Sequence, residues 1–438
     1  MAVSIKLNHL RSEDKEFLQS TLMVENEELF EVVDDDYVLL PFAFARKTFE
    51  LDDDISNQHD QDEPTTTTTT TDELHKLQPT TSTTPTFVGE LREEQIVVKN
   101  GCLENLKETG SFIISSCPGF GKTITAINIA CELNVKTLII TNKLVLINQW
   151  MESVKKFTNS TTTVQYVKPG TTSLNPSATF YVVNAINVAK KPLEFWSSVK
   201  FLVIDELHQI ITKVLSKSLF RIVPDYILGL SATPYRFDDY HNAIEWFFGS
   251  SGMGKKLYCK HSVCKLRTGF KPQAIKYTSK GIDWNSVLEE QADNEERNDM
   301  IVKGVKKISD RDKGKRVWMI LVKRVVHAET LVEKFEREGM KCTTLLGSAV
   351  EFDKSCKILI GTTSKIGVGF DHADIDALCI AADVKNYFVQ FLGRCMRRPN
   401  SNPVVLDLED DFYPLTRHFN ERVTEYKRCG GKMFRLEL

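Results

Sequence analysis

The stretch Ser116-Cys117-Pro118-Gly119-Phe120-Gly121-Lys122-Thr123 decides the fold. A short apolar run, Phe112-Ile113-Ile114, leads into it. Ile124-Thr125-Ala126-Ile127-Asn128-Ile129-Ala130 follows, with apolar residues at helical spacing. Strand, glycine-containing loop, Lys-Thr and helix make the arrangement of a phosphate-binding P-loop. Glycines let backbone N–H groups turn toward phosphate oxygens, and the positive end of the following helix points at the same charge. Ser116, Cys117, Pro118, Gly119, Phe120 and Gly121 would line the phosphates. Lys122 would reach the β- and γ-phosphates of ATP, and the Thr123 hydroxyl would hold Mg²⁺. Ser116 stands where the usual pattern begins with glycine; versions ending Gly-x-Gly-Lys-Thr accommodate it. Taken alone, the loop also reads as a tight strand-to-helix turn with a chance Gly-Lys-Thr.

The chain around this loop has 438 residues, room for two or three domains, and 42% of them are hydrophobic, which supports ordinary cores. No apolar run reaches the ~18 residues of a membrane span. The first ten residues lack the basic start and apolar block of a secretory signal. Ten cysteines lie scattered without paired spacing, which suggests a reducing compartment inside a cell or virion. The net charge of −3 hides an asymmetry: residues 1–86 carry 6 Lys/Arg against 19 Asp/Glu, and the remainder 50 against 40. The mildly basic remainder permits a nucleic-acid groove.

Residues 1–63 read as a short acidic accessory region with one or two strands around Tyr37–Ala45, closing in an acidic stretch from Glu50 to Glu63. Residues 64–86 hold 12 threonines in 23 positions and predict a disordered linker. From Phe87 the pattern becomes globular. Apolar runs at Phe112–Ser115, Thr137–Thr141, Phe180–Asn184, Phe201–Ile204 and Tyr226–Leu230 alternate with helical patterns, the rhythm of a parallel α/β sheet. It pauses and resumes at Val317–Val322, Thr343–Leu346, Lys357–Gly361, Ala377–Ala381 and Val404–Leu408. This predicts a first domain over 87–250, a connecting segment over 251–298 and a second domain over 299–438.

A P-loop needs an acidic partner for Mg²⁺ and water. Phe201-Leu202-Val203-Ile204-Asp205-Glu206-Leu207-His208 ends a buried strand in two carboxylates, where ligands bind in open α/β sheets. Asp205 would coordinate Mg²⁺ through water, and Glu206 would orient or deprotonate the attacking water. Downstream, Ser231-Ala232-Thr233-Pro234 places two hydroxyls at a strand end, able to hydrogen-bond the neighbouring acidic loop.

Gly-x-Gly-Lys-Thr, Asp-Glu-x-His and Ser-Ala-Thr-Pro, in this order, resemble superfamily 2 helicases of the Asp-Glu-x-His branch. Ile360 to Asp371 resembles the family's fifth motif, and Gln390-Phe391-Leu392-Gly393-Arg394-Cys395-Met396-Arg397 its sixth, Gln-x-x-Gly-Arg-x-x-Arg. The resemblance implies two tandem RecA-like domains with ATP between them. Gln390 would approach the γ-phosphate or attacking water, and Arg394 and Arg397 would stabilise charge on the transferring phosphoryl group. Gly369 and Asp371 would touch nucleotide and Thr362 nucleic acid, while His208, Ser231 and Thr233 would couple the two. Leu91-Arg92-Glu93-Glu94-Gln95 is similar to the element ahead of the P-loop. There Arg92 and Gln95 would serve the nucleotide, with Gln95 on the adenine edge and Glu94 replacing the family's aromatic residue. Thr141, Asn142 and Lys143, with Lys323 and Arg324, would meet nucleic-acid phosphates; Gln149 and Trp150 read as packing.

Gly369-Phe370-Asp371, Val405 to Asp410, and Arg422…Tyr426…Gly430-Gly431-Lys432 resemble helicases of large cytoplasmic DNA viruses. These include the poxvirus transcript-release helicase and iridovirus-like relatives, akin to XPB-type DNA translocases. The resemblance implies an ATP- and Mg²⁺-dependent helicase or translocase on DNA, working with viral transcription or replication machinery in host cytoplasm or virion, away from membranes. An RNA helicase, or an ATP-gated clamp that does not unwind, stays open. Cys259-x-His261-x-x-Cys264 invites a zinc reading, but its alternating run predicts a strand. Asp34-Asp35-Asp36 and Asp52-Asp53-Asp54 read as solvated acidic loops.

Overall fold

A computed structural model describes residues 2–7, 10–33, 36–49, 84–236, 238–279, 281–347, 349, 351–367, 372–385, 388–398 and 401–438. The expected linker up to residue 83, the acidic stretch 50–63, and Gly369 and Asp371 lie outside the described residues. Two compact units are present, one from Met1–Ser116 with Phe120–Lys255, the other from Cys117–Gly119 with Lys256–Leu438. Each is a RecA-like α/β fold. Among the described residues no helix is long and apolar enough to cross a membrane.

The first unit is built on a seven-stranded sheet. Its order is Gly252–Met253, Ser111–Ser115, Tyr226–Ser231, Phe201–Asp205, Thr137–Thr141, Phe180–Asn184, Val164–Val167, all paired in parallel. Helices cover both faces, so the inner strands are apolar throughout, as in Leu138–Ile140 and Phe201–Ile204. Register places Ser115 opposite Ser231, Asp205 opposite Leu230 and Thr141 opposite Asn184. The predicted nucleotide residues of this unit therefore gather along one carboxyl edge.

The N-terminal residues are more structured than their sequence suggests. Ala2–Lys6, Tyr37–Pro41 and Glu31–Val33 form an antiparallel sheet in that order, and Met23–Val24 pairs with Glu27–Glu28. Helix Phe42–Phe49 packs on helix His241–Phe248, and both belong to one apolar cluster with the first sheet. Ala2 N donates to Ile222 O at 2.9 Å. Lys213 and Lys217 pair with Glu27, and Arg221 with Glu31 at 2.8 Å. Strands of two or three residues carry too few alternations to show in sequence.

The second unit has its own seven-stranded parallel sheet. The order is Cys342–Leu345, Ile358–Thr362, Trp318–Val322, Ala377–Ile380, Val404–Glu409, His261–Arg267, Gly431–Arg435. The segment 251–298, read as a connection, instead supplies strands to both sheets: Gly252–Met253 to the first and His261–Arg267 to the second. The second strand confirms the reading of the alternating run around Cys259, His261 and Cys264, and its residues are His-Ser-Val-Cys-Lys-Leu-Arg. It contains His261 and Cys264 of the zinc-like spacing, and His261 Nδ1 lies 2.7 Å from Cys259 O.

Candidate active site

The P-loop turns between strand Ser111–Ser115 and helix Lys122–Leu133. Gly119 and Gly121 have φ of +83° and +94°, a region that side chains disfavour. A Cβ on Gly121 would also lie 2.3 Å from Gln95 Nε2. Lys122 Nζ donates to Ser116 O at 2.8 Å. Thr123, half-buried, sits one residue into the helix, and Cys117 and Pro118 lie in the turn.

The Ser116 hydroxyl accepts the Lys255 N–H at 3.1 Å, and Ser116 N donates to Ser231 O at 3.1 Å. The serine thus ties the loop to two neighbouring segments. Gln95 packs against the loop. It is buried, its Oε1 accepts Arg92 N at 2.8 Å, and its Nε2 donates to Phe120 O at 2.9 Å. Arg92 donates to the same carbonyl. Both residues brace the loop, and the Gln95 amide is engaged on protein instead of open to an adenine edge.

The acidic element stands at the carboxyl end of strand Phe201–Asp205. Trp150 Nε1 donates to Asp205 Oδ2 at 2.8 Å. Desolvation pushes the Asp205 pKa up, opposed by the Trp150 hydrogen bond, by Lys122 and by a backbone bond from Glu206. Trp150, read as packing, is therefore also a carboxylate partner; the signal was available, because a buried indole N–H needs an acceptor. Glu206 has φ +51° and ψ +52°, a left-handed conformation that costs a glutamate about 1–2 kcal/mol and so must be held by its surroundings.

The structure brings His208, Ser231 and Thr233 together. His208 Nδ1 lies 2.8 Å from Ser231 Oγ, which accepts Thr233 N at 3.0 Å. Arg236 donates to His208 O, and Asn142 Nδ2 donates to Gln209 Oε1 at 2.9 Å. Sequence reasoning missed Arg236 and Gln209. They join the Ser-Ala-Thr loop and residue Asn142 to the acidic box. Burial first, then Arg236 and Lys122, hold the His208 pKa down at about 4. The unfolded histidine titrates near 6.5, so between these values only the unfolded chain binds the proton. Stability contributed by neutral His208 is whole above pH 6.5 and is lost as pH falls toward 4, up to about 3 kcal/mol. His208→Gln should lose markedly less stability than wild type between neutral pH and about pH 5 in urea unfolding. Equal acid losses would contradict this.

Thr141 is fully buried at the end of its strand, while Asn142 and Lys143 are half-buried just beyond it. In the second unit Lys323 is exposed just beyond strand Trp318–Val322, and Arg324 Nη2 donates to Asn285 O at 2.8 Å. Thr362 is buried, its hydroxyl 3.1 Å from Ser364 Oγ. Helix Phe388–Cys395 carries Gln390 and Arg394 one turn apart. Gln390 is buried, Arg394 Nη2 donates to Gly367 O at 3.0 Å, and Arg397 follows half-buried.

A family model described as "Type III restriction enzyme, res subunit" matches residues 89–236. The chain is 40% identical over 370 residues to "Putative helicase 161L" of Invertebrate iridescent virus 6, covering 79% of this chain and 82% of that protein. It is 35% identical over 347 residues to "Putative helicase 055L" of Frog virus 3 (isolate Goorha), covering 78% of each. Among solved structures, S. cerevisiae Dbp5 bound to RNA and ADP BeF3 matches with TM-score 0.52 at 15% identity, over 79% of this chain and 94% of that one. At that identity the likeness concerns the fold.

Proposed function

The chain belongs to the superfamily 2 helicases, in the group related to those of large DNA viruses, and is an ATP-dependent helicase; from that premise we propose that it moves along DNA. One observation supports placing hydrolysis at the carboxyl edge of the first sheet. Asp205, held by Trp150, stands in the field of Lys122, next to a Glu206 kept in a left-handed backbone conformation.

Lys122 compensates phosphate charge, and Glu206 orients the attacking water and takes its proton. The Thr123 hydroxyl and Asp205 carboxylate are hard oxygen donors suited to Mg²⁺, which would neutralise charge on the β- and γ-phosphates. Gln390, Arg394 and Arg397 are the second unit's contribution, as the family resemblance implies. Asn142, Lys143 and Lys323 contact nucleic-acid phosphates, so binding is salt-sensitive and weakly sequence-dependent. Through the Asn142–Gln209 bond and the His208–Ser231–Thr233 cluster, occupancy of the phosphate contacts reaches Glu206. The setting is the infected cell, alongside viral transcription or replication machinery.

RNA is the competing substrate, named for a relative 23% identical over 357 residues, "Putative ATP-dependent RNA helicase L396" of Acanthamoeba polyphaga mimivirus. ATP hydrolysis stimulated by single- and double-stranded DNA and RNA, compared at one salt concentration, separates them. Stronger stimulation by DNA supports the proposal; stimulation by RNA alone overturns it.

A further inference from the structure

In the second unit, residues 381–384, which follow strand Ala377–Ile380, are gripped at four points by buried side chains from three other helices. Arg297 Nη1 donates to Ala381 O at 2.6 Å. Gln291 Oε1 accepts Asp383 N at 3.3 Å. The Asp383 carboxylate meets His418 Nδ1 at 2.8 Å and Arg422 Nη1 at 3.4 Å. Arg422 Nη1 also donates to Val384 O at 2.9 Å.

Two carboxylates anchor the grip. Asp410 accepts Arg297 Nε at 2.9 Å and Gln291 Nε2 at 2.6 Å. Asp407 accepts Arg422 Nε and Nη2, both at 2.9 Å, and the Tyr426 hydroxyl at 2.9 Å. The Arg422 and Asp407 side chains are 4% and 0% exposed, and those of Arg297 and Asp410 are 2% and 4%.

Buried ion pairs are poor stabilisers, since apolar replacements of similar volume are often as stable or more so. They do restrict a segment to one conformation, because any other leaves a charge buried without its partner. Here the restricted segment leads into the helix carrying Gln390 and Arg394. The Tyr426 ring also packs edge-on against Phe388, the first residue of that helix, with centroids 5.2 Å apart. One residue thus holds the anchor through its hydroxyl and the helix through its ring.

We propose that Arg297 and Arg422, fixed by Asp410 and Asp407, are positioning residues that hold this segment so that Gln390 and Arg394 are presented in one productive orientation. The proposal rests on the reading of those two residues under the proposed function. Catalysis is sensitive to such placement: a shift of about 1 Å can cost about 100-fold.

The test is a mutant cycle in the full chain, measuring steady-state ATP hydrolysis with saturating heteropolymeric single-stranded DNA and, in parallel, RNA. Asp383→Asn should lower kcat about tenfold with KM for ATP changed less than about twofold. Tyr426→Phe keeps the ring and loses the hydroxyl, so it should lower kcat about threefold and serves in the same cycle should Asp383→Asn fold poorly. In a Gln390→Ala/Arg394→Ala background each substitution should cost less than about twofold, since both its routes are already cut. Equal fold-losses in both backgrounds would overturn the clamp and leave the roles of Gln390 and Arg394 standing. A Gln390→Ala/Arg394→Ala variant with undiminished kcat would overturn both.

Discussion

Lys122→Ala should lower nucleic-acid-stimulated ATP hydrolysis by about 10³-fold while leaving the protein folded. Lys122 starts the helix behind the P-loop, and its ammonium donates to Ser116 O at 2.8 Å. The same charge pulls down the pKa of Asp205 and so bears on the carboxylate proposed to serve Mg²⁺. Alanine removes the cation where phosphate charge must be compensated. The structural cost is small: one hydrogen bond from a half-buried side chain, about 1 kcal/mol, with the helix residue replaced by the best helix former. ATP turnover read beside thermal unfolding separates the two effects. A variant that keeps more than about a tenth of the wild-type rate would deny Lys122 this role.

Phe42→Ala should destabilise the first unit by about 3–5 kcal/mol without altering hydrolysis per folded molecule. Phe42 is 1% exposed, and its ring packs against Gly110, 2.8 Å from where a Cβ there would stand, so alanine removes a buried ring from a close-packed contact. Arg46 covers the same ring at 5.4 Å from the centroid. The loss is a large share of a typical domain stability of about 5–15 kcal/mol. Removing residues 1–49 goes further. It uncovers Phe220, Ile244 and Phe247, all buried in the cluster shared with the N-terminal strands. The expected product is insoluble. A truncated chain that stays soluble and unfolds at the wild-type temperature would show the N-terminal module to be peripheral. The segment is acidic overall, yet its buried Val38-Leu39-Leu40 run belongs to the fold.

What the sequence shows plainly is whatever is local and periodic. The apolar strands, the P-loop glycines and the Asp205-Glu206 pair each announce themselves within a few residues, because a parallel strand buried on both faces is continuously apolar. Strand His261–Arg267 was legible as a strand from its alternation, but not its place in the second parallel sheet, since that pattern resembles a half-exposed strand of another kind of sheet. The Gln95 contact was not legible because a glutamine's partner lies elsewhere: Phe120 O is 25 positions along the chain. Trp150 and Asp205 are 55 apart, and Arg297 and Asp410 are 113 apart. Pairings of that range leave no period in the sequence, and a lone Arg or Asp reads as solvated until the fold buries it. Ser116 is the reverse case. It looked like a departure from pattern, and it is a residue whose hydroxyl is used, on Lys255 N.

The most direct measurement is ATP hydrolysis by the full chain and by Glu206→Gln, each with and without saturating nucleic acid. Glu206 is half-buried at the carboxyl edge, and glutamine keeps its size while removing the base. The account predicts stimulation of the wild type, loss of at least about 100-fold in the variant, and retained ATP binding. A Glu206→Gln protein hydrolysing ATP at the stimulated wild-type rate would contradict it.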